Sequence, residues 1–390
     1  MLLPRIAVVH PCLVAGGGSE ACAIWILEAL KTEYTVSLIT SGSVNFFLLN
    51  SFYGTRILPS EVRVISLPLP FIWKRFDATR GYRVARFSRR ASMRFDLMIS
   101  AYNVMDFQKR GIQFIGDFSF NDQLRRDFLD SRGNRGSRIY DDNPLRRAYI
   151  HLAEKLSGVT IGGWRDNLTI ANSYWTQEIL RRNYHLDAPV IYPPVPYNFP
   201  VVPWDEKEDG FVFMGRLSPE KQIDKILQIL GDVRQRGYPV HLHLCGKAED
   251  PKYGRLLNRL CSPLSDWVHL DGPVSGDEKM RCLISHRYGI SARPNEPFGI
   301  FVAELVKAGA IVWVPNGGGQ REIVDCPDLV YDSCNEAVDK IASVFGSKTR
   351  QDALRHHLMR RKRDFSTKIF TTQVRSLVRA FLTRNTKDEH

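Results

Sequence analysis

Short apolar runs of strand type alternate with helical patterns along almost the whole chain, and such alternation packs as a doubly wound sheet with helices on both faces. In the first half the strand-like runs are Arg5 to His10, Tyr34 to Thr40, Val62 to Leu67, Asp96 to Ala101, Ile112 to Gly116 and Leu168 to Ala171. The Pro-rich stretch Pro189 to Pro203, followed by acidic Asp205 to Asp209, breaks the pattern and reads as a linker. A second βα series runs from Phe211 to about Val344, and Phe365-Ser366 opens a last amphipathic helix, Lys368 to Leu382. A chain of 390 residues exceeds one ordinary core and suits two domains.

Three loops of the second series stand where a strand gives way to a helix. Glu296 and Glu304 flank one of them, in Asn295-Glu296-Pro297-Phe298-Gly299-Ile300-Phe301-Val302-Ala303-Glu304. Tyr288 to Arg293 reads as the strand and Phe301 to Ala308 as the helix. The amides of Phe298, Gly299 and Ile300 then lie at a helix N-terminus, where unpaired N–H groups and the dipole favour an anion. Phosphates could rest there while the two carboxylates accept hydrogen bonds from sugar hydroxyls; two solvated acids beside a helix start would leave the same spacing. Gly215-Arg216-Leu217-Ser218-Pro219-Glu220-Lys221 follows the strand Phe211 to Met214, and its Arg216 and Lys221 can meet one diphosphate. Gly317-Gly318-Gly319-Gln320-Arg321-Glu322-Ile323-Val324 follows the strand Ile311 to Val314 and permits close backbone approach. Loops of this kind at C-terminal strand ends make a ligand crevice in an open parallel sheet.

These segments resemble the C-terminal signature of family 4 glycosyltransferases: Gly-Arg-Leu with a following Lys, Glu-x-Phe-Gly with a second Glu eight residues after the first, and Gly-Gly-x-x-Glu-Ile-Val. At the N-terminus His10-Pro11 and Gly16-Gly17-Gly18-Ser19-Glu20 are most like the α-1,2-mannosyltransferases that extend lipid-linked oligosaccharides. Ala171 to Thr176 and Val190 to Val195 look like that family's last N-domain strand and helix and its exit to the linker. The resemblance implies a GT-B fold, two Rossmann-like domains facing across a cleft. The acceptor-binding domain would be residues 1–195, the linker 196–209, the nucleotide-sugar domain 210–364, and 365–390 a helix crossing back to the first domain. It implies a retaining hexosyltransferase that takes GDP-mannose or a UDP-sugar to a glycan or lipid-linked acceptor. Gly17, Gly18, Gly215, Arg216, Lys221, Glu296, Phe298, Gly299, Ile300 and Glu304 would bind the donor, Glu304 at the ribose and Glu296 at the sugar, with His10 and Gly16 positioning a sugar. The family pattern also leads one to expect a His over the sugar where this chain has Gly116, in Gln113-Phe114-Ile115-Gly116-Asp117-Phe118. Asp117 beside it could polarise an acceptor hydroxyl or serve as a turn cap. The departure leaves a second reading open, a catalytically impaired nucleotide-sugar-binding paralogue with a regulatory role. Asp-x-Asp, the usual diphosphate metal motif, does not occur, so no metal or other cofactor is expected, and Arg216, Lys221 and helix dipoles would stabilise the leaving group.

The net charge is +12. Lys74, Arg75, Arg80, Arg83, Arg86, Arg89, Arg90 and Arg94 are interrupted by one acid, Asp77, and interleaved with Phe71, Trp73, Phe76, Tyr82 and Phe87. Arg83, Arg86 and Arg90 follow helical spacing beside Val84, Phe87 and Ala91, which suits peripheral contact with an anionic membrane surface, or an ordinary solvated helix packed by its apolar stripe. Nucleic-acid binding is not expected, since no helix-turn-helix, zinc-finger or RNA-recognition signature accompanies the basic run. No stretch reaches the roughly 18 apolar residues of a membrane span. The seven cysteines include no Cys-x-x-Cys pair and read as reduced, buried thiols of a cytoplasmic protein. The expected location is the cytoplasm, peripherally on the membrane's cytoplasmic face.

Overall fold

A computed structural model describes residues 3–388 apart from 15, 69–76, 130–143, 158–161, 198, 249 and 275. The chain forms two compact units, Met1–Pro196 with Ser366–His390, and Tyr197–Phe365. The first holds a parallel sheet of β1 (Arg5–Val9), β2 (Thr35–Ser41), β3 (Val62–Leu67), β4 (Leu97–Ser100), β5 (Ile112–Ile115) and β6 (Leu168–Ala171), in the order β3-β2-β1-β4-β5-β6. The second holds β7 (Glu208–Met214), β8 (His241–Cys245), β9 (Val268–Gly272), β10 (His286–Ile290), β11 (Ile311–Pro315) and β12 (Val330–Tyr331), in the order β12-β11-β10-β7-β8-β9. Both units thus repeat one winding. The chain enters at a central strand, moves outward through two strands, then returns to the other side of that first strand.

Burial explains the composition of the strands. Ile6 to Val9 and Ile311 to Val314 are fully enclosed, as continuous apolar runs are when helices cover both faces of a sheet. In each unit the return creates a switch point, between β1 and β4 in the first sheet and between β7 and β10 in the second, where the loops leaving neighbouring strands diverge.

The final helix, Thr367–Asp388, belongs to the first unit. Phe370, Val374, Val378 and Phe381 are buried in the core that also contains Ile24, Leu27 and Phe114. Arg375 donates to the Ala29 carbonyl at 2.7 Å, and Arg375 and Arg379 pair with Glu33 at 3.3 and 3.2 Å. At the entrance to the second unit, Trp204 is buried, meets Tyr288 edge-on with centroids 5.8 Å apart, and lies under the Arg355 guanidinium at 4.5 Å. An indole just after the Pro-rich run therefore ties residues read from sequence as linker to the second sheet. β10 starts at His286, two residues ahead of the expected start, because polar His286 and Arg287 extend the ladder beside β7. It ends at Ile290, ahead of Arg293, which leaves Ser291 to Gly299 as a loop.

Candidate functional site

Because β10, β7 and β11 are neighbours or next-neighbours at the second switch point, the loops that follow them converge. The Gly215–Lys221 loop leaves β7, the Ser291–Gly299 loop leaves β10, and Asn316–Gly319 leaves β11. Glu296 is where they meet. Its Oε2 accepts from Lys221 Nζ at 2.6 Å and from Arg293 Nη1 at 3.1 Å. Burial works against this carboxylate's charge, yet Arg293 and Lys221 outweigh it and hold its pKa down at about 2. Burial also lowers the Lys221 pKa, with Glu296 opposing the shift. Arg216 sits further out, its side chain exposed and 3.9 Å from Glu220.

The glycines make the meeting possible. A Cβ on Gly317 would lie 2.4 Å from the Pro294 carbonyl oxygen, and one on Gly318 would lie 2.3 Å from that of Glu296. Gly319 N–H donates to the same Glu296 carbonyl at 2.8 Å, so the turn after β11 braces the backbone that carries the carboxylate. Gly299 caps the next helix, Ile300–Lys307, at φ 101°, a left-handed conformation that suits glycine. Gln320 is fully buried and donates to the Arg293 carbonyl, while its Oε1 and Arg293 Nε make no hydrogen bond.

Glu304 lies within that helix among Val302, Ala303, Leu305 and Val306, and is itself buried. Lys279, from the helix Gly276–Ser285, donates to its Oε1 at 2.6 Å and stands over the Tyr197 ring at 4.8 Å. Burial disfavours the Lys279 ammonium, but Glu304 and Tyr197 more than compensate and its pKa is raised. Phe298 is buried and meets Phe365 edge-on, so its role at this point is packing as well as backbone presentation. The second unit thus brings together Lys221, Glu296, Phe298, Gly299, Ile300 and Glu304, and adds two cations that sequence reasoning did not single out. Arg293 stands three residues before Glu296 in the loop after β10, where no helical or strand spacing marks the two as partners. Lys279 lies in the run Asp277-Glu278-Lys279, which looks like an ordinary solvated helix face.

The remaining residues singled out from sequence lie in the first unit. His10 follows β1 and is buried; burial lowers its pKa to about 4, and its Nδ1 accepts from Cys12 N–H at 3.3 Å. Its Nε2 makes no hydrogen bond. The amides of Gly16 and Gly17 donate to the Tyr53 hydroxyl at 2.9 and 3.1 Å, and that hydroxyl donates to the Gly17 carbonyl at 2.9 Å. Gly18 begins the helix Gly18–Leu30. Asp117 Oδ1 accepts from Asn103 at 2.8 Å and from Ser119 N–H at 2.9 Å, the bonds of a turn cap. Gly116 N–H donates to Asn103 Oδ1 at 3.0 Å, and a Cβ there would meet nothing nearer than 3.9 Å, so packing does not require glycine.

In the basic helix Asp77–Ala91, Val84 is buried and Phe87 packs beside it against the first sheet, while Arg83 is half-buried and Arg86 and Arg90 are exposed. The apolar stripe is spent on the protein's own core. Phe71, Trp73, Lys74, Arg75 and Phe76 lie outside the described residues. Among those described, no helix is long and apolar enough to cross a membrane.

Residues 196–363 match the family model described as glycosyl transferases group 1. The chain is 23% identical to the GDP-Man:Man(3)GlcNAc(2)-PP-Dol alpha-1,2-mannosyltransferase of Mus musculus, over 81% of this chain and 73% of that protein. It superposes on Anabaena HepE in complex with UDP and glucose with a TM-score of 0.67 at 14% identity, covering 96% of this chain and 99% of HepE. The sucrose-phosphate synthase of Thermosynechococcus elongatus gives a TM-score of 0.70 at 15% identity, covering 98% and 100%. The likeness is one of fold, the GT-B fold of two parallel-sheet units.

Lys279→Met should leave Glu304 buried without its cation and lower the stability of the second unit by about 3–5 kcal/mol in urea unfolding. Adding Glu304→Gln to it should restore a large part of the loss. A midpoint unchanged by Lys279→Met would mean that the pair carries no such weight.

Proposed function

With its second unit a glycosyl transferases group 1 domain, this chain is a glycosyltransferase, and we propose that it transfers mannose from GDP-mannose to a lipid-linked glycan with retention of configuration. The observation that carries the reading is the pairing of two enclosed carboxylates with lysines on either side of one helix start, Glu296 with Lys221 and Glu304 with Lys279. Between them stand the Gly299 and Ile300 amides, which suit a diphosphate. In this reading Glu304 holds the ribose hydroxyls and Glu296 those of the sugar. Arg216 and Lys221 stabilise the charge of the departing nucleotide, work that needs no metal at the diphosphate. The choice of GDP-mannose and a lipid carrier is supported by the activity for which the mouse relative is named, whose likeness extends over most of this chain. The UDP bound by HepE makes a UDP-sugar the competing donor, at an identity that speaks to the fold alone.

His10, with its unpartnered Nε2, and the Gly16 to Gly18 loop are assigned to sugar positioning in the first unit. Tyr53 must then release the Gly16 and Gly17 amides for them to meet a ligand. Asp117 is the weaker assignment, since one of its oxygens already caps a turn. Gly116, where the family pattern has His, favours a second reading in which the protein binds donor without turning it over. We also place the protein peripherally at the cytoplasmic face of a membrane, with Arg83, Arg86 and Arg90 meeting anionic headgroups by charge.

Calorimetry separates the two glutamates. Glu304→Gln should weaken GDP and GDP-mannose alike, whereas Glu296→Gln should spare GDP and weaken only GDP-mannose; equal losses of GDP affinity in both variants would overturn the assignment. Tighter binding of UDP-glucose than of GDP-mannose by the unaltered chain would move the donor to the UDP-sugars.

Arg216→Ala should lower kcat/KM for transfer or donor hydrolysis by about 100-fold, the scale of one preorganised transition-state contact. Turnover should persist without added Mg²⁺ or Mn²⁺. Dependence on either ion would sink the metal-free scheme, and donor binding with no turnover under any condition would establish the second reading.

Co-sedimentation tests the membrane assignment. Binding should be strong to vesicles rich in acidic phospholipid, weak to neutral ones, and should fall as salt rises. Charge reversal at Arg83, Arg86 and Arg90 should abolish it while leaving GDP affinity intact; equal binding to neutral vesicles would refute it.

A further inference from the structure

The ends of the second sheet opposite the three loops carry a cluster that donor binding does not use. Four imidazoles gather there; His269 of β9 has its ring 4.7 Å from that of His243, and the other three, from two strands that are not adjacent, can share an ion. His286 is the first residue of β10, and His241 and His243 lie at the head of β8, with β7 between. In the ladders His286 stands opposite Glu208, and His241 stands opposite Gly210. The missing side chain of Gly210 is what lets the two imidazoles meet across β7. A Cβ there would lie 2.2 Å from His241 Nε2, and the His241 and His286 rings are 5.3 Å apart. The His243 ring lies 4.7 Å from that of His286. One nitrogen from each of the three falls within 4.8 Å of the others.

Two of the rings are held as metal-binding imidazoles commonly are. His243 Nδ1 is 2.8 Å from Asp271 Oδ2, and His286 Nδ1 is 2.8 Å from the Cys282 carbonyl, so each Nδ1–H donates and each Nε2 keeps its lone pair. His286 is buried, and its Nε2 and that of His241 make no hydrogen bond, an arrangement that costs free energy unless something else satisfies them. Glu208 Oε2 stands 3.5 Å from His241 Nε2 and 4.0 Å from His286 Nε2, and its side chain is more than half exposed. It can supply a fourth ligand and leave a path to solvent.

We propose that His241, His243 and His286, completed by Glu208, form a site for a divalent transition metal of the zinc class. Imidazole with one carboxylate suits Zn²⁺, Ni²⁺ or Cu²⁺ rather than Mg²⁺ or Ca²⁺. Metal–nitrogen bonds of about 2.0–2.1 Å put tetrahedral ligands roughly 3.3 Å apart, so small side-chain rotations close the site. The ion would tie β8 to β10 across β7 and has no part in transfer.

The test uses the untagged full chain, stripped with chelator and titrated with ZnCl2 by calorimetry, with Co²⁺ absorption reporting coordination. One Zn²⁺ per chain should bind, Co²⁺ should give the intense visible bands of a four-coordinate site, and the melting temperature should rise with Zn²⁺. His243→Gln should weaken binding at least 100-fold. Asp271→Asn touches no metal in this scheme and should weaken it by roughly 10-fold or more through the His243 ring. Circular dichroism confirms that both variants fold, and GDP affinity should be unchanged in each. No saturable binding to the unaltered chain, or Zn²⁺ affinity equal in His243→Gln, would overturn the site.

Discussion

Parallel pairing is the constraint from which the rest of this molecule follows. Neighbouring parallel strands cannot be joined by a tight turn, so each connection crosses a face of the sheet, mostly as a helix, and every strand leaves its sheet at the same edge. In the second unit that edge collects the turns after β7, β10 and β11. The return from β9 to β10 opens the switch point beside β7, and Lys221 and Glu296, which are 75 positions apart, come within 2.6 Å there. The glycines of the turn after β11 then fix the height of Glu296, because any side chain at Gly317 or Gly318 would strike the backbone that carries it.

Once two carboxylates are enclosed at that edge, electrostatics decides what else must be present. An unpaired buried carboxylate would take up a proton. Glu296 instead has a pKa of about 2, because Arg293 and Lys221 together exceed the penalty of burial. Its folded value lies below the ordinary carboxylate value of 4.5, so it contributes stability above about pH 4.5 and loses that contribution as the pH falls toward 2. The same pairing keeps Glu296 ionised at neutral pH, which makes it an acceptor only, as suits hydroxyl-rich ligands.

Much of this edge was legible in the chain because it is built from local patterns. Gly215 to Lys221 and Glu296 to Glu304 each span a strand end, a turn and a helix start, and the six strands of the first unit fall within a residue or two of their apolar runs. What could not be read is what the topology joins. Lys279 looks like one more cation on a polar helix until Glu304 is placed beside it, and Tyr53, which pins Gly16 and Gly17, lies 37 and 36 positions from them. Trp204 lies in the stretch expected to be a linker, between a Pro-rich run and a run of acids, and its burial against Tyr288 ties that stretch to the second unit. Of the two readings of the basic helix, the packed apolar stripe is what the first sheet holds. Any membrane contact by its described residues therefore rests on charge.

The histidine cluster shows the same limit at the opposite edge of the second sheet. His241 and His243 alternate on one strand and read as ordinary strand residues, while His286 belongs to a strand two places away in the sheet. Their meeting depends on Gly210, whose effect exists only after β7 has been inserted between them. A metal ion there would cross-link strand heads and leave the loops at the C-terminal edge untouched, and a ligand bound only by the folded sheet would stabilise it by about 2.7 kcal/mol at one hundred times its Kd. A fold that concentrates charge and glycine at one edge can thus gain rigidity at the other without restricting the loops that carry them.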